Sequence, residues 1–143
     1  MQKPCTRAVA VLVAASSLIL LSACVAAPDD TAQLSAEKPL DQRSEQGFVD
    51  ATVALDEAAL ARGPNDFLVT LHAAAGAASP VLTSVEATMA AHGHHASTSD
   101  IESDGSAFRV QDLDLFMSGR WQVVLGVELD AHSDVVEFAL DIP

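Results

Sequence analysis

Trp121-Gln122-Val123-Val124-Leu125-Gly126-Val127-Glu128-Leu129 is followed, after the polar break His132-Ser133-Asp134, by Val135-Val136-Glu137-Phe138-Ala139-Leu140-Asp141-Ile142. These two runs decide the fold. Both are rich in residues that suit a pleated, half-buried surface, and a turn separates them. Working back along the chain, Asp66-Phe67-Leu68-Val69-Thr70-Leu71-His72-Ala73 sets Phe67, Val69 and Leu71 against polar or smaller neighbours. That is the period of two expected of a strand with one buried face. Val81, Thr83, Val85, Ala87 and Met89 are expected to share one strand face, with Leu82, Ser84, Glu86 and Thr88 on the other.

Turn chemistry separates these runs. Gly63-Pro64-Asn65 precedes one strand, Gly76 to Pro80 follows it, and Asp104-Gly105 precedes the strand containing Phe108 and Val110. Short strands at roughly 8–12-residue spacing with turns between them indicate a sandwich or barrel. The expected fold is all-β: an antiparallel sandwich of about seven strands over residues 47–143. Ala54 to Arg62 is Ala-rich before Gly63, and reads as a loop or one helical turn.

Outside this domain the texture changes. Residues 25–46 carry Pro, Asp, Gln, Ser and Glu without an apolar period, as a solvated tether does. Before them, Lys3 and Arg7 precede an almost wholly apolar run from Ala8 to Leu21. A charged n-region and an h-region of this length describe a secretory signal, and the run falls short of the roughly 20 apolar residues that span a bilayer. Leu21-Ser22-Ala23-Cys24 resembles the bacterial lipobox. That resemblance implies cleavage before Cys24, lipid on its thiol, and export to the cell envelope. Two or more acyl chains give stable anchoring where one does not. Val25 stands where an inner-membrane retention aspartate would be, which favours the outer membrane in a Gram-negative cell. The alternative is an ordinary cleaved signal with Cys24 as a free thiol.

The charge follows from that cleavage. The 143-residue chain has a formal net charge of −13. Loss of residues 1–23 removes Lys3 and Arg7 but no acidic side chain, which leaves five basic against twenty acidic residues and a charge near −15. Such a field repels phosphate backbones, so nucleic acid is a poor partner. Cys5 leaves with the signal and Cys24 carries lipid, so no pair remains for a disulfide.

Three segments in order carry a further resemblance. They are Gly63-Pro64-Asn65-Asp66-Phe67-Leu68-Val69, Met89-Ala90-Ala91-His92-Gly93-His94 and Phe116-Met117-Ser118-Gly119-Arg120-Trp121. Together they resemble the YtkA-like family of exported bacterial domains, related in classification to FixH proteins. Ala90 stands where that family usually has proline. The resemblance implies an immunoglobulin-like sandwich and no single biochemical activity.

The candidate chemistry lies in Met89, His92, His94, His95 and Met117. If the strand runs on past Met89, His92 and His94 fall on one face, and Gly93 lets the backbone bend between them. Thioether with neutral imidazole is a donor set that suits copper, with Cu(I) favoured as methionine joins; zinc gains little from methionine. The alternative is structural: the methionines fill core gaps and the histidines close the end of the sandwich. Trp121 is expected in the core. Asp112 with Asp114, and the run Asp100, Glu102, Asp104, complete no catalytic or EF-hand pattern. The chain also carries no Gly-x-Ser-x-Gly elbow, His-Glu-x-x-His helix or phosphate-binding glycine loop, so a non-enzymatic role is expected. The function expected is a tethered envelope domain that binds or hands on copper; the rival is a metal-free module that binds another envelope protein.

Overall fold

A computed structural model describes residues 34, 38–56, 59–73, 75, 77–98 and 100–143. The expected signal, Cys24 and most of the expected tether lie outside these residues. Among the described residues there is no helix, and nine strands follow one another along the chain. They are β1 (Leu40–Arg43), β2 (Val49–Leu55), β3 (Gly63–Ala73), β4 (Val81–Met89), β5 (His94–Thr98), β6 (Ile101–Asp104), β7 (Ala107–Leu115), β8 (Gly119–Leu129) and β9 (His132–Ile142).

The strands form two antiparallel sheets, ordered β1-β2-β3-β7-β6 and β5-β4-β8-β9. Without β1, the first sheet has the A-B-E-D order of an immunoglobulin domain, and the second follows C-F-G with one strand added beside C. The chain is therefore an immunoglobulin-like β-sandwich. Its core lies between the sheets. Val53, Val69, Phe108, Leu113 and Leu115 face inward from the first, and Val85, Met89, Trp121, Val123, Leu125 and Leu140 from the second. Each such side chain taken fully out of water contributes roughly 1.5–3 kcal/mol before entropy is counted.

Two strands change phase midway. In β7 the inward residues pass from Phe108 and Val110 to Leu113 and Leu115, and the parity changes at Asp112. Its φ of 56° forms a bulge opposite Asn65 and Phe67 of β3. In β4 the register shifts between Leu82 and Ser84, so Leu82 is buried while Val81 and Thr83 are exposed. This corrects the expected face containing Val81 and Thr83. A strict period of two carries an apolar row only as far as the first bulge.

Other expectations are also corrected. The described residues form nine strands where about seven were expected; β1, β5 and β6 are short and carry no strong apolar alternation. β1 lies inside the segment read as tether, with Leu40 paired to Val53 and Leu34 and Leu40 buried in the core. Ala54 and Leu55 belong to β2, and no helical turn is formed at Asp56 or at residues 59–62. His132 opens β9; the β8–β9 turn is Asp130-Ala131, where Asp130 takes a φ of 55°.

One polar cluster ties β1 to the second sheet. Asp134, 5% exposed, accepts hydrogen bonds at Oδ1 from the amides of Gln46 (3.1 Å) and Val135 (2.8 Å). The Glu45 amide donates to the Val135 carbonyl, and the Gln46 side-chain amide donates to the Ser133 carbonyl. The turn between β1 and β2 is thus fastened to the start of β9.

Candidate functional site

The end of the sandwich where β4 finishes and β8 begins gathers the histidines. Met89 and His94 are cross-strand partners at the mouth of the β4–β5 hairpin, so the chain reverses through Ala90 to Gly93. The His92 amide donates to the Met89 carbonyl at 3.1 Å, closing a turn. Gly93 then takes a φ of 66°, a left-handed conformation open to glycine at little cost. The strand does not run on past Met89 as expected; His92 and His94 approach because the backbone turns. Gly93→Ala meets no steric obstacle within 4 Å and forces only the backbone. It is expected to destabilise the sandwich by about 1–2 kcal/mol, measured by urea denaturation.

His92 and His94 have ring centres 6.1 Å apart, inclined at 28°. His94 meets Phe116 edge-on at 5.2 Å, and Phe116 meets Trp121 edge-on at 5.5 Å. Aromatic edge contacts of this kind contribute about 0.5–1.5 kcal/mol each beyond burial. The ladder runs from solvent to core: His92 is exposed, Phe116 is 43% exposed and Trp121 is 0% exposed. The Trp121 indole N–H donates to the Met117 carbonyl at 3.0 Å, so the β7–β8 connection is held down over the tryptophan.

The other expected ligands take different places. Met89 points inward, 2% exposed, and its terminal methyl lies close to Gly119. A Cβ at residue 119 would stand 3.3 Å from that methyl, and Gly119 has a φ of 123°. Met117 is half-buried and packs against the core. His95 projects to the opposite face of β5, where its Nε2 lies 3.5 Å from Glu86 on β4. Among the described residues, no three His, Cys, Asp or Glu side chains are gathered as a metal site. The structure therefore brings His92 and His94 together, with Met89 across from His94 on the inner face, and sets His95 apart. Cys24 lies outside the described residues.

Phe116 is the neighbour that sequence reading passed over. Its contact with His94 joins residues 22 positions apart, which spacing along the chain does not reveal. Elsewhere, a cavity of about 220 Å³ opens beside the β7 bulge, lined by Leu55, Ala61, Pro64, Asp66 and Asp112. Asp66 already accepts the Asp112 amide there at 2.9 Å. The cavity is smaller than the usual 300 Å³ or more of a small-molecule site.

Compared with family models, curated proteins and solved structures, the chain finds no match.

Proposed function

We propose that this chain is an envelope-anchored accessory domain that binds copper at the β4–β5 turn and hands it on, with His92 and His94 as the imidazole ligands. The single observation that carries this reading is the 6.1 Å approach of the two rings on an accessible turn. Two imidazoles that share an ion about 2.0 Å from each nitrogen have ring centres roughly 5–6 Å apart. The observed separation lies at the wide end of that range. Imidazole suits copper, while Met89 is buried and Met117 packs against the core. The lipobox-like Leu21-Ser22-Ala23-Cys24 supports the envelope setting, and the resemblance to YtkA-like sandwiches agrees with the fold.

The test is the copper content of the purified full chain after loading and desalting, beside His92→Ala/His94→Ala. The wild-type chain is expected to retain copper that the double variant loses. Equal copper in both would remove these ligands.

The metal-free reading is favoured by a different observation, the continuous ladder from His94 through Phe116 to Trp121. On that reading the histidines close the end of the sandwich, which presents a surface to another envelope protein. The double variant would then lose stability with no change in bound copper.

A further inference from the structure

We infer that His92 and His94 form half of a metal site, which a second copy of this chain completes, so that one Cu(II) ion is held by four imidazoles between two hairpin turns. This rests on the copper reading and adds the oxidation state and the partner.

The argument begins with the ligand count. One chain offers two neighbouring imidazoles, and among the described residues no third His, Cys, Asp or Glu joins them. Cu(II) favours four nitrogen or oxygen donors in a tetragonal arrangement. The soft donors that would favour Cu(I) are withdrawn: Met89 is buried and Met117 packs on the core. A two-fold axis through the ion doubles the available set to four. Such a contact is self-complementary and closed, as in most dimers.

The surroundings suit a second copy. His92 and His94 lie at the tip of a hairpin, so two tips can meet while the bodies stay apart. Between Glu86 and Asp100 there is no acidic residue, although the chain carries twenty. Two strongly acidic molecules would meet there through a turn whose own residues carry no carboxylate. Phe116 stands half-exposed beside His94, at 5.2 Å, and a symmetric contact would shelter it on both sides.

Sedimentation velocity of the full chain in detergent, with Cu²⁺ added stepwise, tests this. The expected result is a monomer that becomes a dimer, with His-dependent copper saturating at about half an equivalent per chain, since two copies supply the four donors. The copper spectrum should show coupling to four nitrogens. Zn²⁺, which is redox-inert and also takes four ligands, should give the same dimer. His92→Ala, a change at an exposed turn residue, should stay monomeric. A monomer with one His-dependent ion per chain would overturn the second copy and leave the copper reading intact. A dimer that persists in His92→Ala would overturn it too. No His-dependent ion at all would remove both.

Discussion

Trp121→Ala lowers the stability of the sandwich by about 3–5 kcal/mol, the range for removing a large aromatic from a packed core. Trp121 is wholly buried, and three separate losses follow from its removal. The apolar surface of the ring goes, together with the space it filled between the sheets. Its N–H no longer donates to the Met117 carbonyl, so the β7–β8 connection loses its anchor. Phe116 also loses the ring it meets edge-on at 5.5 Å. Domains of this size are stable by about 5–15 kcal/mol in all, so the variant should sit near the threshold of folding. Urea denaturation followed by far-ultraviolet circular dichroism measures it. A loss below about 1 kcal/mol, the size of one ordinary surface-to-core adjustment, would contradict the packing described.

Asp134→Ala costs roughly 1–3 kcal/mol, because the amides of Gln46 and Val135 lose their acceptor at a part-buried site. The acid limb of stability should change with it. Burial raises the Asp134 pKa, but hydrogen bonding outweighs it and holds the carboxyl below its ordinary value of 3.8. Ser44 and Phe48 do not reach Oδ2 in hydrogen-bond geometry, since that oxygen is buried without a partner. The lowering rests on the Gln46 and Val135 amides, which donate to Oδ1. A carboxyl with a lowered folded pKa contributes stability that is fully present above its unfolded pKa and lost as pH falls through the folded value. The wild-type chain should lose this contribution only below about pH 3.8, the ordinary value from which the shift starts. Asp134→Asn should show a flatter dependence in that window. Parallel acid denaturation curves for the two would contradict the account.

Much of the fold was legible because burial repeats with the pleat. Phe67, Val69 and Leu71 alternate cleanly, and Val123, Leu125, Val127 and Leu129 do the same, so β3 and β8 could be placed from residue type alone. The faces of β4 and β7 could not be followed through their bulges, which turn on backbone angles such as that of Asp112 rather than on side-chain polarity. β1 was missed for another reason. Its Leu-Asp-Gln-Arg is polar like the tether before it, and only pairing with β2 makes it a strand.

The site was legible in part. Three histidines within four residues drew attention to the right turn, but whether they converge depends on where the chain reverses. Gly93 in the left-handed region ends the turn so that His94 returns beside Met89, and His95 then has to face Glu86 on the other side. A residue-by-residue period predicts neither outcome. The contact of His94 with Phe116 is tertiary and leaves no trace in spacing.

X-ray absorption at the copper edge of the loaded full chain decides whether copper sits on His92 and His94. The proposed site requires a first shell of nitrogen at about 2.0 Å with the outer-shell scattering of imidazole, both lost in His92→Ala/His94→Ala. A shell dominated by sulfur at about 2.3 Å, the distance of a thiolate ligand, and unchanged in that variant would place the metal on cysteine and contradict it.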